Sequence, residues 1–229
     1  MRLQGSSALV SLGFALLLAA CSPAPAQQAA EAPPLGLMTS LPLYWPEGAS
    51  LADIAAGTAV PPWQRRAIET AYRIVPLDTL SPIAGLSPDA PETDPLAGLA
   101  RLAVIQPRGL SPADNVALDE WVKGGGRLLL VLDPALTGEY AAPLGDPRRP
   151  VDAALIPPVV ERWGLAIGLP PADADSDAGT IDLLPEGAKA CTLSGDAIAR
   201  CRIGKGEVTL IADAALFEHP ELAGEGGVA

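Results

Sequence analysis

The sequence predicts an α/β domain built on a mostly parallel β-sheet, with helices on both faces and an antiparallel hairpin added late in the chain. Three observations predict it. A strand, a capped helix and a second strand follow one another within residues 102–132, the span of a βαβ unit. Short apolar runs alternate with helical segments through the rest of the chain. Near the end, the turn signal Ser194-Gly195-Asp196 separates two further short runs.

Taken in order, Gly36 to Leu43 opens apolar and ends in polar residues and Pro42, a strand with its exit loop. Pro61-Pro62-Trp63 starts a helix, with Trp63, Ile68 and Tyr72 roughly on one face. Arg73 to Pro76 is a short strand. Leu80 to Pro95 is rich in proline and acid and reads as a loop. Leu102 to Ile105 is a strand of the buried type, closed by Gln106-Pro107-Arg108. Ser111 then caps a helix, with Pro112 at its first position and Asp114 near the positive end of the dipole. Val116, Leu118, Trp121 and Val122 form the expected apolar face, and Gly124-Gly125-Gly126 stops the helix. Arg127 to Leu132 (RLLLVL) is a strand ending at Asp133-Pro134. Asp152 to Trp163 reads as a helix, kinked or split at Pro157-Pro158. Trp163-Gly164-Leu165 turns into a short strand, and Ala172 to Gly179 is acidic and irregular. After the hairpin, Gly204-Lys205-Gly206 turns into a strand from Glu207 to Ala212 that ends at Asp213. A short helix and a Gly-rich tail over 219–229 follow.

The chain has 229 residues and a formal net charge of −12, with 15 Lys and Arg against 27 Asp and Glu. A nucleic-acid binder needs a basic footprint to displace counterions, so that class is excluded. The single histidine, His219, removes most metal sites and His-based triads, and no cofactor motif is present. Gly124-Gly125-Gly126 follows a helix and precedes a strand, the wrong order for a phosphate cradle.

The first residues read as an address. Arg2 is the only charge before Glu31, and Ala8 to Ala20 is almost wholly apolar. As a helix those thirteen residues rise about 20 Å, short of a hydrocarbon core of roughly 30 Å. A basic start, a short apolar run and small residues describe a secretory signal peptide over residues 1–20. The run ends in Leu18-Ala19-Ala20-Cys21, which resembles the bacterial lipoprotein signal, in which the Cys takes lipid (palmitate among its acyl groups) and becomes the mature N-terminus. The alternative is an ordinary signal peptide with a chance cysteine. Residues 21–34 then read as a lipidated Cys and Pro/Ala-rich tether, leading into a single domain over 35–218. The implied location is the cell envelope, facing the periplasm, and Ser22 leans towards the outer membrane.

Cys191 and Cys201 remain as an even pair across the predicted hairpin. A structural disulfide of that loop size contributes roughly 3 kcal/mol in the chain-entropy model. A reactive or metal-binding thiol pair is the alternative, with spacing too wide for CxxC chemistry.

In open α/β sheets, ligands bind beyond the carboxyl ends of the strands. Those ends carry Thr39, Ser40, Gln106, Arg108, Asp133 and Asp213, the candidate ligand-binding residues. Asp133 and Asp213 can serve as acid/base partners, hold a cation, or cap neighbouring loops. Arg148 and Arg149, in a proline-rich loop, can present two guanidinia to a carboxylate or phosphate, or stand solvated. No nucleophile elbow occurs.

One series of residues resembles a known family: Thr39-Ser-Leu-Pro42, Pro76-Leu-Asp78, Val104-Ile-Gln-Pro107, Asp119-x-Trp121-Val122-x-Gly-Gly-Gly126-Arg-Leu, Asp133-Pro134 and Gly204-x-Gly206-x-Val208-Thr-Leu-Ile-Ala-Asp213. It is similar to the periplasmic auxiliary domain of gliding-motility-type ABC transporters, over about residues 36–218. The resemblance implies a flavodoxin-like sandwich, akin to class-one glutamine amidotransferases. It argues against their chemistry, because the strand that leads to their nucleophilic Cys ends here in Asp133-Pro134. The expected role is a lipid-anchored, non-catalytic module that binds a ligand or an envelope partner such as an ABC transporter. The alternative is an envelope hydrolase using Asp133.

Overall fold

Five parallel strands and an antiparallel pair form one seven-stranded sheet in this computed structural model. The described residues are 32–87, 89–170, 177–185 and 187–223. The strands are β1 (Pro34–Thr39), β2 (Arg73–Pro76), β3 (Arg101–Ile105), β4 (Arg127–Val131), β5 (Leu165–Gly168), β6 (Thr180–Leu183), β7 (Cys191–Leu193), β8 (Ile198–Ile203) and β9 (Gly206–Ile211). The helices are α1 (Leu51–Ala56), α2 (Trp63–Glu69), α3 (Pro112–Gly124), α4 (Pro158–Arg162) and α5 (Ala215–Glu218). The order across the sheet is β2-β1-β3-β4-β9-β8-β7, and the first five strands are parallel. Those five follow the flavodoxin order, whose switch point lies between β1 and β3. The expected α/β class with a mostly parallel sheet and a late hairpin is therefore what the chain forms. A separate antiparallel pair, β5-β6, was not legible in the sequence.

The period of the strands divides the core in two. On one face, Leu102, Val104, Leu128, Leu130 and Val208 pack beneath Leu118 and Val122 of α3 and Val160 of α4. On the other, Leu37, Ala103, Ile105 and Val131 pack with Ala214 and, half-buried, Phe217 of α5. Where a doubly wound fold carries a helix between β2 and β3, this chain has the proline-rich loop the sequence predicts. Buried Leu80 and Leu96 pin that loop to the first core.

Helix α3 begins as its sequence requires. Ser111 and Asp114 form a full capping box. The second carboxylate oxygen of Asp114 accepts from Leu80 N, Ser81 N and Thr79 Oγ1, so one side chain ties the helix start to the β2–β3 loop. Val116 does not join the apolar face; it is 58% exposed. At 100° per residue it lies some 160° from Leu118 and about 120° from Val122, which hold the core side. The helix stops at the glycines because Gly125 adopts φ 126°, and a Cβ on Gly126 would enter the ring of Trp121.

One other expectation is corrected. Asp152 to Pro157 is not helical, and only Pro158–Arg162 forms α4. Each residue before a proline is pushed out of the α region, so Ile156 and Pro157 cannot continue a helix into Pro158. Within the expected tail, Pro220–Ala223 coils into a short 3-10 helix. Helix α1 was missed, although its capping Ser50 with Asp53 and its left-handed Gly57 are ordinary helix signals. The signal peptide, Cys21, the tether up to Glu31, Ala172 to Ser176 and residues 224–229 lie outside the described residues.

Candidate functional site

The carboxyl ends of β1, β3 and β4 are joined by a buried hydrogen-bond hub. Its centre is Gln106, which is fully buried with a φ of +44°, a left-handed conformation that a non-glycine residue adopts at a cost. Three side-chain bonds hold it there. Nε2 donates to the carbonyls of Asp133 (3.0 Å) and Val151 (3.0 Å), and Oε1 accepts from Asp133 N (2.9 Å). Ser40 Oγ donates to the Gln106 carbonyl and accepts from Val151 N at 3.3 Å.

Asp133 is 2% exposed and spends both oxygens on backbone amides: Oδ1 accepts from Ala135 N and Oδ2 from Ala214 N, each at 2.8 Å. It thereby clamps the loop after β4 to the loop after β9. Burial raises its pKa, backbone hydrogen bonds from Ala214 and Ala135 oppose the rise, and the charges of Asp213 and Glu218 add to it. Asp213 caps Ala215 N at 2.8 Å and Thr39 Oγ1 accepts from Leu41 N at 3.0 Å. These groups act as loop caps in the structure.

The arginines divide. Arg149 is a buttress: it binds Asp152, donates to the carbonyls of Tyr140 and Ala142, and sits over the Tyr140 ring at 5.6 Å. Arg108 Nη2 donates to the Arg149 carbonyl at 2.8 Å. Arg148 makes a two-pronged contact with Asp146, whose carboxyl its hydrogen bonds hold down at about 2.

Beside this hub the loop after β1 and the loop of residues 140–150 form an open cleft of about 590 Å³. Of the predicted residues, Ser40 and Arg148 line it; Thr39, Gln106, Arg108, Asp133, Arg149 and Asp213 do not. Its surface is chiefly Tyr44, Trp45, Leu51, Ile54 and Tyr140, with several prolines. Both tyrosine hydroxyls are engaged, Tyr44 with the Leu37 carbonyl and Tyr140 with Glu218. Glu47 reaches across and accepts from Ala141 N (3.0 Å) and Ala142 N (2.8 Å), latching one wall to the other. Arg65 sits 4.8 Å over the Trp45 ring. Sequence reading missed these aromatic residues because they lie in two loops a hundred residues apart; Tyr44-Trp45 in so aromatic-poor a chain was the available signal.

No family model matches the chain, and no curated protein matches it. Solved structures similar to it include an exo-beta-1,4-mannosidase from Opitutaceae bacterium strain TAV5, at 12% identity and TM-score 0.43, covering 86% of this chain and 34% of that one. A beta-galactosidase from Rahnella sp. R3 matches at 10% identity and TM-score 0.39, covering 80% of this chain and 28% of that one. The mmIFT52 N-terminal domain matches at 13% identity and TM-score 0.44, covering 84% and 91%. This chain thus spans about a third or less of the two glycosidases.

The disulfide between Cys191 and Cys201 is formed, linking directly paired residues of β7 and β8. Among the described residues no group of three or more His, Cys, Asp or Glu is placed to hold a metal ion, and no helix is long and apolar enough to cross a membrane.

Proposed function

We propose that this chain is a lipid-anchored protein of the bacterial envelope whose α/β domain binds a ligand or partner and performs no chemistry at its strand ends. One observation carries the reading. The strand-end polar groups are consumed in internal hydrogen bonds, while the cleft beside them offers chiefly aromatic and apolar surface, with Glu47 bonded to backbone amides and Arg148 paired with Asp146. Such a surface suits recognition. The Leu18-Ala-Ala-Cys21 box supports anchoring through lipid, and a formed disulfide fits an oxidising compartment. The motif series described above supports a role as an accessory component of an ABC transport system.

Expressed with its leader in a bacterium, the chain is expected to carry acyl groups on Cys21 by mass spectrometry and to leave the membrane fraction when Cys21→Ser is introduced. Purified from detergent-solubilised membranes, it is expected to retain a partner or ligand that Trp45→Ala releases. Failure to find either in repeated preparations counts against the binding role.

A hydrolase using Asp133 is the second reading, favoured by the raised pKa of a buried carboxyl beside Asp213 and Glu218. It requires substrate to reach a side chain that is 2% exposed. Hydrolysis of an envelope substrate, lost in an Asp133→Asn variant of unchanged stability, would establish it.

A further inference from the structure

The side of the sheet that carries Ala103 and Leu129 is only half covered. Parallel sheets are normally buried on both faces. At the carboxyl ends of the strands this face is sealed by the loops after β1 and β4 and by Ala214. Towards the amino ends it opens into a groove of about 450 Å³, within the range of small-molecule sites. Ala103, Leu129 and Thr209 form its floor, Ala67 and Ile68 of α2 line it, and so does Phe217 of α5. Gln64 Nε2 donates to the Phe217 carbonyl at 2.8 Å, joining α2 to α5.

The register sets the charge at the mouth. Arg101, Arg127, Glu207 and Arg202 are successive cross-strand partners on β3, β4, β9 and β8. They form one row, and Arg101, Arg127 and Glu207 line the groove. Glu207 is shared between Arg127 (3.6 Å) and Arg202 (3.0 Å). Arg101 faces the Tyr72 ring at 5.8 Å. Three guanidinia against one carboxylate leave a cationic row in a chain whose net charge is −12.

We propose that this groove is a binding site for a long-chain carboxylate, an aliphatic tail with an anionic head. The tail lies over Leu129 and Thr209, which the described chain covers only in part. The head meets Arg101 and Arg127. Cation at the mouth and apolar floor behind it match an amphiphile of that polarity better than an apolar helix. The proposal goes beyond the binding role above and does not depend on lipid at Cys21.

The test titrates laurate, myristate and palmitate, below their aggregation limits, into the full chain carrying Cys21→Ser. Isothermal calorimetry is expected to show one saturable site whose affinity rises about fourfold for each added CH2 group. Thr209→Trp, which fills the floor, is expected to abolish binding. The rim double variant Arg101→Ala/Arg127→Ala is expected to weaken it about tenfold or more while keeping the chain-length dependence. The rim variant stays informative if the tryptophan variant does not fold. Absence of saturable binding, or affinity indifferent to chain length or to both variants at wild-type melting temperature, overturns the proposal. So does a second copy seated on this face, seen as a dimer that Thr209→Trp dissociates. Binding by the Cys21→Ser chain but not by a lipid-bearing chain also overturns it, assigning the groove to the protein's own acyl group.

Discussion

Gln106 and Asp133 hold each other in a closed ring: the amide of Gln106 donates to the Asp133 carbonyl and accepts from the Asp133 N–H, at 3.0 and 2.9 Å. The pairing joins the exits of β3 and β4 and holds the left-handed backbone at Gln106. Gln106→Ala removes three bonds and leaves the Asp133 and Val151 groups unpaired in a buried site. We expect a loss of about 3 kcal/mol. For a domain of this size that lowers the melting temperature by about 6–12 °C, measurable by calorimetry. A change within 1 °C would mean that the hub does not hold the strand ends.

Asp114 makes the domain sensitive to acid. Burial pushes its carboxyl up, but hydrogen bonds from Ser111, Thr79, Leu80 and Ser81 outweigh that and hold it well below the usual carboxylate range. Asp119 is lowered too: burial opposes the shift, while Lys123, Trp163 and Arg162 drive it. A depressed folded-state pKa gives stability that is present above the unfolded value near pH 4 and is lost as pH falls through the folded value. Asp133 has the opposite sign, since its raised pKa gives stability that fades as pH rises past the unfolded value. Denaturant unfolding between pH 2 and 6 is expected to show a slope on the acid side that Asp114→Asn reduces.

The disulfide closes a hairpin loop with a sequence separation of 10. Cys191→Ala/Cys201→Ala is expected to cost about 3 kcal/mol, read as a shift of the urea midpoint. Both sulfur-bearing residues are buried in the main core, so reductant should act on the folded protein only slowly. Rapid loss of the bond in native buffer would contradict that burial.

Helix α3 gives a paired test of register. Leu118→Ala, on the buried stripe, is expected to cost about 2–5 kcal/mol. Val116→Lys, on the solvent side, is expected to change stability by less than about 0.5 kcal/mol. Equal effects in chemical unfolding would contradict the observed helix face.

Features decided by neighbours in the chain could be read directly. Ser111, Pro112 and Asp114 announce the start of α3 because a cap uses donors within three residues. Cys191 and Cys201 can be paired because a short turn brings them level. The alternation of elements around Leu102–Leu132 predicts a parallel sheet because a short crossover permits little else.

Other features depend on contacts that cross the sheet. Asp133 stood at a strand end with three chemical roles open; its two caps, one of them 81 residues away, decide its structural role. The aromatic cleft exists only because residues 40–54 and 140–150 meet, with Glu47 bridging more than ninety positions. The basic row from Arg101 to Arg202 is invisible until strand register aligns it. By itself, then, the sequence determined the fold class, the capped helix and the cysteine pair, whose energies are set by local backbone geometry. Only the tertiary structure decided which polar groups are spent and which surfaces stay open, because hydrogen-bond satisfaction and burial are long-range sums that no single stretch of chain contains.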